Sequence, residues 1–127
     1  MNTVNVKNLG FITDVEKLVR LYSKVHLLVY TSKVDVFPLT LLEASACKTP
    51  IVSLPTKAIR GLDLPVLYAT SVKDFAHVIR KLQNMWEKRR EQYLKLCERM
   101  RLEAVKYDVK EVFPKFLDML KEVTSLS

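Results

Sequence analysis

Two apolar runs without alternation organise this chain. His26 to Tyr30 and Pro50 to Leu54 show no period of two, which suits strands covered on both faces of a parallel sheet. Between them, Pro38 suits the first turn of a helix, where its missing N–H costs nothing, and Leu39, Leu41, Leu42, Ala44 and Ala46 continue that helix as good formers. Upstream, Val4 to Leu9 alternates and predicts a short, half-exposed strand ending at Gly10. Thr13 and Glu16 have the spacing of a capping box, so a helix is expected from Asp14 to near Lys24, with Val15, Leu18, Val19 and Tyr22 on one face.

Downstream, Val66 to Ala69 reads as the last strand. Ser71 and Asp74 cap a helix whose apolar positions Phe75, Val78, Ile79, Leu82, Met85 and Trp86 keep helical spacing. A second helical run places Tyr93, Leu96, Cys97, Met100, Ala104 and Tyr107 on one face. A third, after Asp108, does the same with Val112, Phe113, Phe116, Leu117, Leu120 and Val123, and Pro114 either kinks it or marks its start. Strands alternating with helices, then helix after helix, predict an α/β fold: an open parallel sheet of about four strands with helices on both faces and a helical part over about 71–127.

Composition narrows this picture. A chain of 127 residues is one domain, large enough for a real core. Two glycines and 49% hydrophobic residues argue against disorder, and Gly10 and Gly61 alone can write neither a G-x-G-x-x-G nor a P-loop. Cys47 and Cys97 lie far apart without metal-type spacing, which fits a reduced, cytoplasmic setting, and no apolar run is long enough to cross a bilayer. His26 and His77 have no acid or cysteine at catalytic or metal spacing, so packing explains both.

The net charge of +7 is uneven. Residues 1–70 hold 8 Lys/Arg against 5 Asp/Glu, and residues 71–127 hold 13 against 9. The surplus gathers at Lys88, Arg89, Arg90, Lys95, Arg99 and Arg101. Interspersed Glu87, Glu91, Glu98 and Glu103 make this foremost a solvated helix face, with a peripheral contact to an anionic membrane left open. Nucleic acid is disfavoured because aromatic residues do not interleave with the basic cluster.

The candidate chemistry lies between the two buried strands. Asp35 sits in the loop after the first strand, Glu43 inside the following helix, and the free N–H groups after Pro38 favour an anion. Loops at the carboxyl ends of parallel strands are the usual ligand position in such sheets. A phosphate bound there would have a carboxylate on either side.

The stretch Asp35-Val36-Phe37-Pro38-Leu39-Thr40-Leu41-Leu42-Glu43-Ala44-Ser45-Ala46-Cys47-Lys48-Thr49-Pro50-Ile51-Val52 resembles the signature of family 4 glycosyltransferases, the retaining GT-B type of glycosyl transferases group 1. That signature runs E-G-F-P-x-x-x-x-E-A-x-A-x-G-x-P-V-V. The resemblance extends upstream over Val6 to Tyr30 and into the helical C-terminal part. It implies a Rossmann-like, three-layer fold corresponding to the latter part of the family's nucleotide-sugar domain.

Residue by residue, it implies that Asp35 meets the donor sugar as the catalytic residue and that Glu43 holds the ribose hydroxyls. Phe37, Pro38, Leu39 and Thr40 would line the donor site, with the amides of Leu39 and Thr40 facing the diphosphate. Lys57 and Arg60, where the family often shows paired glycines and a glutamate, are candidate phosphate contacts. The donor would be a UDP- or GDP-sugar, with no metal and no other cofactor. Two departures stand out: Asp35 is one methylene shorter than the family's Glu, and Lys48 replaces a glycine.

Matched to the complete family, the chain lacks an N-terminal acceptor domain and the basic residues that meet the diphosphate, so activity by itself is not expected. The expectation is a donor half-domain working as a homo-oligomer or with an acceptor-domain partner chain. The alternative is a non-catalytic interaction protein that kept the fold and lost the chemistry.

Overall fold

The computed structural model describes residues 5–34 and 38–107. In order these form α1 (Val15–Lys24), β1 (Leu28–Tyr30), α2 (Leu39–Ala46), β2 (Ile51–Ser53), α3 (Lys57–Arg60), β3 (Leu67–Tyr68), α4 (Val72–Lys88) and α5 (Arg90–Ala104). Among the described residues the sheet has three parallel strands in the order β1-β2-β3, rather than about four. The register pairs Leu28 with Ile51, Val29 with Val52 and Tyr30 with Ser53, then Val52 with Leu67 and Ser53 with Tyr68.

The sheet has a core on each face. Side chains on a strand alternate between faces, so Leu28, Tyr30 and Ile51 share one side and meet Leu41, Ile59, Met100 and Ala104. Leu27 and Leu67 point the other way and meet Leu82, Tyr93, Cys97 and Trp86. The middle strand, β2, is buried along its whole length, as its unalternating sequence requires. Its Ile51 and Val52 are fully shielded, each contributing roughly 1.5–3 kcal/mol of apolar burial.

Helix α5 joins the two cores. Met100 and Ala104 belong to one, Tyr93 and Cys97 to the other, and Leu96 touches both. The polar ties of this segment reach the chain just before each strand. The Tyr93 hydroxyl donates to the His26 carbonyl at 2.7 Å, Lys48 Nζ lies 3.2 Å from Glu98 Oε2, and the Tyr107 hydroxyl donates to the Leu62 carbonyl. The amino ends of β1 and β2 are therefore braced by α5, and the chain leading to β3 by Tyr107 beyond the helix end, which leaves the carboxyl ends to the loops and helix starts.

Several expectations are corrected. Residues 5–9 form no strand, and Val6 and Leu9 are exposed, because no neighbouring strand pairs with them; Val4 lies outside the described residues. The cap of α1 is Asp14, whose side chain accepts from the Glu16 N–H at 3.0 Å, so the helix begins at Val15 and Thr13 is not the cap. Pro38 occupies the N-cap of α2 rather than its first turn.

The region after β2 contains the single turn α3, with the Thr56 side chain accepting from the Ile59 N–H. Ser71 does cap α4 by accepting from the Asp74 N–H at 3.1 Å. The Asp74 carboxylate also accepts from both the hydroxyl and the N–H of Thr70, and those bonds hold its pKa below the ordinary carboxylate value. The third helical run after Asp108 lies outside the described residues.

Candidate functional site

Helix α2 carries most of the sequence-derived candidates that the structure describes. Pro38 is fully buried, and as the N-cap residue it supplies no side-chain hydrogen bond to the helix start. The N–H groups of Leu39 and Thr40, at its first two positions, precede any possible intrahelical acceptor, whereas the Leu41 N–H already bonds the Pro38 carbonyl at 3.1 Å. The partial positive charge of the helix start lies at these two donors. Leu41, Leu42, Ala44 and Ser45 face the core, while Leu39 and Glu43, four residues apart, stand outside on the same face.

Glu43 is exposed and borders Tyr22 of α1. Burial pushes the Tyr22 hydroxyl pKa up, and the neighbouring Glu43 carboxylate and Cys47 add to that shift. Tyr22 is itself fixed through its backbone, since Thr49 Oγ1 donates to the Tyr22 carbonyl at 2.7 Å. Sequence reasoning placed Tyr22 only in the apolar stripe of α1, because nothing local marks where a tyrosine hydroxyl will end.

Lys57 opens α3 just past the end of β2, and Arg60 closes it. Both are exposed. The Arg60 guanidinium stands 5.7 Å from the centroid of the Tyr68 ring, on the last residue of β3. Burial raises the Tyr68 pKa and Arg60 works against it. Tyr68, which the sequence did not single out, thus holds one candidate cation beside the end of a strand.

The structure gathers Pro38, Leu39, Thr40 and Glu43 on one short helix and puts Lys57 and Arg60 on the next. Asp35 and Phe37 lie outside the described residues. Among the described residues no group of three His, Cys, Asp or Glu side chains is placed to hold a metal ion.

The Lys48 departure has a backbone meaning. Lys48 has φ 65, the left-handed conformation in which a helix commonly ends on glycine. Its N–H bonds the Ser45 carbonyl at 2.9 Å, and its side chain reaches Glu98. The position needs glycine-like geometry, and this chain fills it with a lysine tied to α5.

An open parallel sheet covered on both faces, with a helix that starts on a proline N-cap following its edge strand, is the frame of a Rossmann-like α/β ligand-binding domain. Within that class the chain is placed by comparison: the model of the family Glycosyl transferases group 1 matches residues 1–95, and the chain belongs to that family. No curated protein and no solved structure matches it.

Proposed function

We propose that this domain binds a nucleotide-diphosphate sugar, of the UDP or GDP type, at the start of α2 and serves retaining hexose transfer without a metal. The open amides of Leu39 and Thr40 receive the diphosphate, Glu43 accepts hydrogen bonds from the ribose hydroxyls, and Asp35 faces the sugar. Lys57 and Arg60 help neutralise the charge that develops as the sugar C1–O bond to the phosphate breaks and a bond to the acceptor hydroxyl oxygen forms. The reading rests above all on α2: in a chain of this family, a helix start with a proline N-cap and an outward-facing glutamate lie one turn apart. The free thiols Cys47 and Cys97 accord with a cytoplasmic setting.

The acceptor side is assigned to a homo-oligomer or to a partner chain. Among the described residues β1 is an edge strand with Val29 43% exposed, and no residue of α1 is buried. Edges of this kind invite pairing. The same open surface favours the second reading, a non-catalytic interaction protein that retained the fold.

Calorimetric titration with UDP, GDP and their sugars separates the two. One nucleotide should bind, and Glu43→Ala should weaken it by about ten-fold, the size expected for losing a charge-assisted hydrogen bond. Absence of binding at millimolar ligand would favour the non-catalytic reading, and equal affinity in the variant would remove Glu43 from the donor site.

A further inference from the structure

Helices α4 and α5, packed against each other, leave a groove of about 390 Å³ beside Leu67 of the outer strand β3. Leu82, Met85 and Leu96 form its floor, and Lys81, Lys95 and Arg99 stand along its rim. No carboxylate lines it among the described residues. Lys95 does meet Glu91, but at 3.9 Å and with both side chains largely in solvent, so its charge remains available.

Floor and rim differ in depth. Leu82 is buried and Met85 and Leu96 are half-buried, whereas all three cations are exposed. An apolar surface recessed beneath a ring of positive charge accepts a convex guest. A flat bilayer fits it less well, since the lysines and arginine would meet the headgroups before the floor reached the acyl region.

We propose that this groove is the docking site for an acidic amphipathic segment of a partner protein, whose apolar side chains sit on Leu82, Met85 and Leu96 while its carboxylates face Lys81, Lys95 and Arg99. This is the helix-in-groove mode of recognition with the charge pattern reversed across the interface. Lys95 and Arg99, two members of the basic cluster in the sequence, take part here together with Lys81. The site shares no residue with the proposed donor site, so either can fail alone.

The test uses the full chain and two short fluorescein-labelled peptides with leucine at helical spacing, one filled out with glutamate and the other with glutamine, read by fluorescence anisotropy at physiological salt. The glutamate peptide should bind and the glutamine peptide should not. Lys95→Glu combined with Arg99→Glu should weaken binding by about ten-fold or more, while the same reversal at Lys7 and Lys17, outside the groove, should leave it unchanged. Three results would overturn the proposal: equal binding by the groove variant, equal loss in the Lys7 and Lys17 variant, or groove-dependent binding to phosphatidylserine vesicles with none to the glutamate peptide.

Discussion

Lys48 carries two opposing effects. The left-handed backbone costs a residue with a Cβ roughly 1 kcal/mol, while the exposed pair with Glu98 returns on the order of 0–1 kcal/mol. Glycine relieves the first and forfeits the second. Lys48→Gly should therefore be neutral or stabilising by up to about 1 kcal/mol, and Lys48→Val, which adds a branched Cβ, should lower the melting temperature. Urea unfolding of the three proteins measures this. The sequence showed that a glycine was missing here; only the backbone angle shows why one belongs.

Helix α5 is the element that fixes the others. Its Tyr93 hydroxyl holds the His26 carbonyl just ahead of β1, and burial, with Cys97 adding to it, raises that hydroxyl's pKa far above the ordinary value of 10.0. Folding favours the neutral phenol, so this stability is complete below the unfolded value and is lost as pH rises beyond it. Tyr22, Tyr68 and Tyr107 are shifted upward as well, chiefly by burial. Thermal melts should therefore show stability declining above a pH of about 10. Tyr93→Phe should cost about 1 kcal/mol at neutral pH by removing one hydrogen bond, and should flatten that alkaline decline.

The helical spacing of Tyr93, Leu96, Cys97, Met100 and Ala104 made the buried face of α5 legible. That Met100 and Ala104 would enter one core and Tyr93 and Cys97 the other was not, because a helical pattern states which side is buried and not against what. Conversely, alternation over Val4 to Leu9 described a strand that residues 5–9 do not form. A period of two is realised only where a neighbour supplies hydrogen bonds and a surface to cover.

For the whole molecule the open features lie on the β1 side. Val15 is 70% and Val19 47% exposed on the apolar face of α1, and β1 is hydrogen-bonded only to β2 among the strands described. If these surfaces meet in a homo-oligomer, light scattering will give more than the monomer mass. Val15→Glu with Val19→Glu should return the chain to a monomer without loss of helix signal, since neither residue is buried. A wild-type protein that scatters as a monomer would rule out the homo-oligomer.

The sequence by itself determined the alternation of strand and helix, the burial of β2, the cap at Ser71, the helical spacing in α4 and α5, and the family, which Asp35 through Val52 carry. These are properties of neighbours along the chain, where period, cap and motif act over a few residues. Tertiary structure decided the number of strands described, the split of α5 between two cores, the left-handed Lys48, the Tyr68 ring under Arg60 and the cation-rimmed groove between α4 and α5. Each of those depends on which distant segments pack together, and local spacing carries no record of that choice.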